Sequence, residues 1–350
     1  MTKSLSPFNQ YKISIKKKRI TLILLFVFLL VVFFFSLLIN SGGLSFSKSI
    51  ATLFGIDKTP SYRLIIFRIR LNRSIAALII GFALAISGLV MQINLRNPLA
   101  SPSTLGVSSS ALMGATISII LFNDKNIYSA PIFSTIPMAL LFSLISIAFI
   151  IILTSVKKFS PSVVAVSGIA ITSFTGAVTT ILQFFANDIL LASSVHFSFG
   201  DLSRANQINN IVMIFTTIIS FIIFMFFSNK YNAVYYGDEL AKSLGVNINV
   251  VRLVSLFFAS LLCAFSVSFV GVIGFIGILS PHIMKRFIGN EARYLIPSSG
   301  LLGAVILIVC DILSRVIIPY FNLPVGAVTA IIGAPFFFFI LVSKRVQKND

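Results

Sequence analysis

The sequence contains no tryptophan, two cysteines, two histidines and 9 acidic residues in 350 positions. Charged residues of both signs amount to 10%, against roughly 25% in ordinary soluble domains. Such a chain cannot cover a globular surface with polar groups, and a soluble enzyme is excluded. Cys263 and Cys310 both sit inside apolar runs, which argues against a disulfide scaffold or a cysteine metal site and for inert packing residues. With His196 in a loop and His282 directly after Pro281, no HExxH or Ser/His arrangement is available for catalysis. Neither catalytic nor metal-ligating residues are expected. The phosphate-binding pattern G-x-x-x-x-G-K-[ST] is also missing, so ATP hydrolysis, if it drives this protein, belongs to a partner. Without tryptophan, an interfacial aromatic belt rests on the 8 tyrosines and 36 phenylalanines.

What remains is apolar and basic. Hydrophobic residues make up 57%, the mean hydropathy is +1.03, and 27 Lys and Arg give a net charge of +18. A nucleic-acid-binding domain would gather that charge on one water-facing surface. Here it flanks long uncharged runs, the pattern of a polytopic membrane protein. The run 20–40 follows a basic N-terminal segment, yet it exceeds the roughly 7–15 apolar residues of a signal peptide and reads as a first span. Further spans are predicted at 74–95, 104–122, 132–156, 161–186, 207–228, 250–269, 272–287, 296–318 and 323–343. The stretch 253–284 would form a helix about 48 Å long at about 1.5 Å per residue, too long for one untilted crossing. Gly271, Gly274 and Gly277 mark the expected break.

Ten spans place both termini in the cytoplasm and put six basic groups on that side: Lys3, Lys12, Lys16, Lys17, Lys18 and Arg19; Arg96; Lys157 and Lys158; Lys230, Lys242 and Arg252; Lys285, Arg286 and Arg293; and Lys344, Arg345 and Lys348. These are 18 of the 27 basic residues, in keeping with the positive-inside rule. The expected organisation is a basic cytoplasmic segment over 1–19, one transmembrane domain over 20–343 and a tail over 344–350. Two loops carry short helical patterns, Phe46–Gly55 outside and Gly237–Gly245 inside, the latter with Leu240, Ala241 and Leu244 at helical spacing.

Proton- or ion-coupled carriers place several ionisable groups in mid-membrane. This chain offers Asp311 and, near span ends, His282 and Arg315; Asp311 and Arg315 are four residues apart and can pair on one helix. Small residues at Gly81, Ala85 and Gly88, and at Gly106, Ser110 and Gly114, suit close helix packing. Arg63, Arg68, Arg70 and Arg73 crowd the outer start of the second span, where the positive-inside rule does not put them. An acidic partner would explain them by charge complementarity, and headgroup snorkelling would explain them without one.

The segment Arg70–Gly114, RLNRSIAALIIGFALAISGLVMQINLRNPLASPSTLGVSSSALMG, resembles the permease subunits of bacterial ABC importers for iron–siderophore complexes, haem and vitamin B12 (FecCD-like, type II). That family has an R-x-P-R start, a G-x-x-L-A-x-S-G-x-x-x-Q helix and an N-P-L-A-x-P-x-x-L-G loop. Gly237–Val246 (GDELAKSLGV), Gly271–His282 (GVIGFIGILSPH) and Leu323–Pro335 (LPVGAVTAIIGAP) match in order. The resemblance implies an all-α fold of about ten transmembrane helices in the bacterial cytoplasmic membrane. It also implies a second permease chain, two cytoplasmic ATPase subunits that use ATP and Mg, and an extracytoplasmic binding protein that delivers the substrate. Cofactors bound by this chain are not expected, nor is nucleic acid. Transport would proceed by alternating access, with an iron(III)–siderophore complex as substrate, or haem or cobalamin. An ion-coupled secondary transporter is the alternative of another class.

Carried over by residue, the resemblance makes Arg70, Arg73 and Arg315 docking points for the binding protein, with Asn72 standing where the family has proline. Gly237, Glu239, Leu240, Ala241, Leu244 and Gly245 lie in the segment that seats in the ATPase (about 237–246). Asn97, Pro98 and Leu99 belong to the loop near the cytoplasmic gate, and Asp311–Arg315 falls where the family has a similar acidic–basic pair.

Overall fold

The computed structural model describes residues 7–39, 44–122, 132–156, 160–318 and 321–346, and the regular structure among them is helical. The basic positions Lys3, Lys125, Lys157, Lys158 and Lys348 lie outside the described residues, as do the side chains of Lys344 and Arg345. The chain begins with α1 (Pro7–Leu38), α2 (Phe46–Leu53) and α3 (Pro60–Arg63), which runs through a π-helical stretch, Leu64–Arg70, into α4 (Leu71–Leu95). Next come α5 (Val107–Leu121), α6 (Ile132–Val156), α7 (Pro161–Phe184), α8 (Asp188–Ser198) and α9 (Gln207–Phe226). The remainder is α10 (Ser228–Tyr236), α11 (Asp238–Ser243), α12 (Ile248–Val270), α13 (Ile276–Ile288), α14 (Ala292–Val316) and α15 (Val325–Val346).

Seven of these segments are long and apolar enough to cross a membrane: Lys12–Leu38, Pro60–Leu95, Thr135–Thr154, Pro161–Phe184, Gln207–Phe226, Ile248–Val270 and Ala292–Val316. The shorter apolar helices Val107–Leu121 and Val325–Phe338, with α13, bring the membrane segments to ten in the expected order. The break after α12 contains two of the three glycines, Gly271 and Gly274, while Gly277 lies in the first turn of α13. Gly271 has φ 81 and ends α12, and Phe275 takes a left-handed φ of 66 just before α13. At 13 residues, α13 is about 20 Å long against a hydrocarbon core of about 30 Å, so the extended stretch 271–275 supplies part of this passage. Backbone at that depth must be satisfied by protein; the carbonyl of Val270 accepts from the Asp201 amide at 2.7 Å.

One local expectation changes. His196 lies in the last turn of α8 and not in a loop. The helix is started by Asn187, whose side chain accepts from the Leu190 amide at 2.9 Å, a cap that satisfies an otherwise free N–H. From Pro7 the basic N-terminal segment is helical and runs without a break into the first span. Lys18 anchors it, pairing with Glu291 at 2.7 Å and lying over the Tyr294 ring.

α4 is the centre of the bundle, with α14, α12, α13 and α9 around it. Its small residues allow backbone-to-backbone approach. A Cβ placed on Gly81 would stand 2.5 Å from the carbonyl oxygen of Gly303 in α14, and one on Gly88 would stand 2.0 Å from that of Gly277 in α13. Larger side chains at either site would push the helices apart and forfeit dispersion contacts along both. Gly88→Ala is therefore expected to destabilise the protein by about 1–3 kcal/mol through overpacking. Gly176→Ala on α7, whose Cβ would meet nothing within 4 Å, should leave it unchanged or slightly more stable. Thermal unfolding in detergent checks both, and equal shifts would count against the close crossing.

Candidate functional site: the two ends of the bundle

At the outer end the arginines expected at the surface are turned inward. Arg70 and Arg73 are each 5% exposed, Arg315 3%, and Asp311 0%. Arg70, last residue of the π-helical stretch, donates to the carbonyls of Leu37 (3.0 Å) and Leu38 (3.4 Å) and to Ser49 Oγ (3.1 Å). Arg73 donates Nε to Asp311 Oδ1 at 2.5 Å and Nη2 to Ser314 Oγ at 3.1 Å, and lies 3.9 Å from Asp201. Arg315 stands 2.9 Å from Asp311 Oδ2 and donates to Ser36 Oγ at 2.8 Å and the Ser36 carbonyl at 3.1 Å. The Asp311–Arg315 pair is thus one edge of a larger unit in which a single carboxylate holds two guanidiniums and joins α1, α4 and α14.

In this structure the donors of Arg70, Arg73 and Arg315 are directed to internal acceptors. Exposed cations at this end include Arg63 and Arg68 on the α3–π stretch, Lys48, Lys58 and Arg204. Lys48 lies over the Tyr62 ring, and the Asp57 carboxyl nearby is held below its usual range by the hydroxyl and amide of Thr59. Asn72, where the related pattern has proline, keeps the helix continuous through this region. Its side chain donates to the Arg68 carbonyl at 2.8 Å, and its own carbonyl accepts from Asn210.

At the inner end, Gly237 (φ 140) separates α10 from α11, and Gly245 (φ 75) closes α11 in a left-handed turn. There the Gly245 amide donates to Lys242 and the Val246 amide to Ala241, both at 2.9 Å, which satisfies the last carbonyls of the helix. Ala241 points inward onto Ala233, Val234 and Ile248, a small core separate from the main one. Glu239 is exposed, and Leu240 and Leu244 are 46% and 65% exposed. The neighbouring Tyr236 is 72% exposed, so an apolar face lies open at a basic end. The Tyr231 hydroxyl beneath it is pushed well up by burial, partly offset by its hydrogen bond with Ser255.

Asn97, Pro98 and Leu99 are exposed at the same end, and the Asn97 side chain accepts from the Leu99 amide at 2.9 Å. From there the chain turns inward. Ser101–Thr104 line a cavity of about 210 Å³ whose other walls are Leu84, Ile273, Phe275, Gly277 and Ile278. The loop near the inner mouth and the unwound stretch before α13 thus border one space at mid-depth. Among the described residues no group of three or more His, Cys, Asp or Glu could hold a metal ion.

Residue spacing did not reveal Asp238. Its carboxylate accepts two hydrogen bonds from Arg252, at 2.8 and 3.1 Å, and pairs with Arg96, which also donates to the Val234 carbonyl. Arg96 and Arg252 register in the sequence only as cytoplasmic charges, and nothing in a separation of 142 or 14 residues announces the pairing.

Ten membrane segments with a broken passage and an exposed helix at one end define a multi-pass helical membrane protein. The chain belongs to the FecCD transport family, which matches residues 28–343. It is 34% identical to the Fe(3+)-citrate import system permease protein YfmE of Bacillus subtilis, over 94% of this chain and 97% of that one. It is 32% identical to the hemin transport system permease protein HmuU of Yersinia pestis, over 89% of this chain and 92% of that one. Among solved structures it superposes on an inward-facing ABC transporter described as of the metal-chelate type, with TM-score 0.81 and 26% identity, over 92% of this chain and 98% of the other.

Removing one partner from a buried ion pair leaves an uncompensated charge and costs about 3–5 kcal/mol. Asp311→Asn should accordingly lower stability by about that amount, read as loss of monodisperse protein on size exclusion and a lower unfolding temperature. Arg68→Ala, at an exposed position, should change neither. Equal behaviour of the two would refute the role given to Asp311.

Proposed function

We propose that this chain is the membrane-spanning subunit of an ABC importer that takes up an iron(III)–siderophore complex. The substrate arrives on an extracytoplasmic binding protein, and a separate ATPase drives alternating access. The permease works as a dimer, two ATPase subunits dock beneath it, and ATP and Mg are used there; the chain binds no cofactor and carries no ATPase site of its own. The observation that carries this reading is the exposed apolar face of α11, presented by Leu240 and Leu244 beside Tyr236. Such a patch facing water marks a protein partner, and Glu239, Ala241 and the two glycines Gly237 and Gly245 shape the helix that bears it. Asn97, Pro98 and Leu99 form the inner gate loop. One domain over 20–343, with cytoplasmic segments at 1–19 and 344–350, suffices for this work.

The substrate class is supported by the ferric citrate and hemin systems to which the relatives belong by name, and a hydroxamate system permease, FhuB of Bacillus subtilis, is 31% identical over 84% of the chain. The hemin relative favours haem as a second reading. For delivery, the outer end supplies cationic Arg63 and Arg68 to acidic groups of the binding protein, while Arg70, Arg73 and Arg315 hold the frame beneath them.

Reconstitution with the ATPase and binding protein in proteoliposomes tests this. Uptake of radiolabelled ferric citrate, a ferric hydroxamate or haemin should require ATP on the ATPase side. Uptake driven by a proton gradient without the ATPase would replace this reading with a secondary carrier. The double variant Leu240→Asp, Leu244→Asp should reduce ATPase co-purification at least tenfold. Arg63→Glu with Arg68→Glu should weaken binding-protein affinity at least tenfold at low salt and leave ATPase association intact; unchanged affinity would rule out docking through these cations.

A further inference from the structure

α11 is attached to the rest of the protein by few contacts. Its buried side is Ala241, seated on Ala233, Val234 and Ile248 in a core of its own. Both its ends are glycines at positive φ, and a Cβ on Gly237 or Gly245 would meet nothing within 4 Å, so neither hinge is wedged in place. Against these weak attachments stand the ionic contacts of its first residue. Asp238 is held from one side by Arg252 of α12, whose side chain is 3% exposed, and from the other by Arg96.

The position of Arg96 gives that second contact its meaning. Arg96 terminates α4 in a left-handed conformation, φ 48. Such a backbone is uncommon for a residue with a side chain and persists where surroundings over-determine it. Its guanidinium is fixed between Asp238 and the Val234 carbonyl. The residues that follow it are Asn97, Pro98 and Leu99, and then Ser101–Thr104 on the wall of the cavity. A continuous physical path therefore runs from α11 through one carboxylate and one guanidinium to the loop at the inner mouth.

We infer that Asp238 is the positioning residue that transmits displacement of α11 to the 97–104 loop through Arg96, with Arg252 making α11 and α12 one body. This rests on the reading of α11 as the ATPase seat. The charges suit a moving link. Asp238 and Arg96 are 38% and 39% exposed at the side chain, so water can solvate both when they part, and an exposed pair contributes little to folding. The forked contact is the one with Arg252, which fixes the Asp238 carboxylate in direction as well as distance, and Arg96 meets its Oδ1 with a single donor. An asparagine at 238 would offer one acceptor and one donor to two cations, and the link to Arg96 would lapse. Arg96→Gln is the cleaner variant, because it leaves the Asp238–Arg252 pair in place.

The test uses the full permease–ATPase complex in proteoliposomes, with Leu99→Cys as reporter and its labelling rate by a water-soluble maleimide as readout. Cys263 and Cys310 are buried and give a low background. ATP with vanadate should change the labelling rate of the reporter chain. That change should persist with Asp238→Glu and fall at least fivefold with Asp238→Asn or Arg96→Gln. The double variant should be no worse than either single one, since residues acting as one unit are not additive. ATPase co-purification should be equal throughout, which a merely structural role for Asp238 would not give.

A full nucleotide response in Asp238→Asn or Arg96→Gln overturns the proposal, as do effects that multiply in the double variant or a reporter that ignores nucleotide. Loss of the ATPase in Asp238→Asn alone would make it a docking residue and also overturn the inference. Failure of the otherwise native chain to hold any ATPase would instead bring down the functional reading on which it rests.

Discussion

A carboxylate placed inside a membrane protein must be neutralised by its neighbours, and Asp311 meets that demand with two guanidiniums at once. Arg73 and Arg315 come to it from α4 and α14, and through Ser36 the same cluster engages α1. The cluster thus ties the peripheral α1 to α4 and α14 at the centre of the bundle. The glycine crossings of α4 bring backbones close, but small residues permit many rotations and shifts of one helix along another. A buried ion network tolerates few, since any misregister leaves a charge unpaired at a cost of several kcal/mol. Packing supplies the attraction, and the Asp311 cluster selects the register.

The two ends of the molecule use charge differently. At the outer end Arg70, Arg73 and Arg315 are enclosed and engaged by internal acceptors, which suits a fixed frame. At the inner end Asp238 and Arg96 are partly hydrated and sit beside two unwedged glycine hinges, which suits a part that moves. Between them the main chain is interrupted at 271–275, and the cavity beside that interruption is also bordered by Ser101–Thr104. The unwound stretch has no helical ladder of its own to break, so it can accommodate a change at the loop without loss of regular hydrogen bonds.

Much of the architecture was legible in the sequence because hydropathy and charge sidedness are one-dimensional signals. The ten membrane segments, the break at Gly271 and Gly274, and the short helix after Gly237 follow from run length, glycine placement and helical spacing. Depth is a different matter. The positive-inside rule counts an arginine near a span end without saying whether it faces water or the bundle, so Arg70, Arg73 and Arg315 read as surface groups. The π-helical stretch carries Arg70 inward, and nothing in LIIFRIR announces that geometry. The helix α8 was overlooked although Asn187 and Asp188 form a recognisable start; an 11-residue helix too short to span disappears in a search for spans. Asp238 was missed because its partners are set by the fold and not by sequence spacing.

The distance along the chain between Arg73 and Asp311 has a consequence for how the protein is made. They are 238 residues apart. At a synthesis rate of about 5–20 residues per second, Arg73 leaves the ribosome tens of seconds before the carboxylate that neutralises it exists. The helix α1 has no such dependence: only 17% of its apolar window is buried, so it can settle among lipids alone. α4, 83% buried over its window, carries Arg73 in its first turn, where the guanidinium can reach the headgroups until the carboxylate arrives. A chain truncated before Asp311 would lack the group that holds Arg73 inside the bundle.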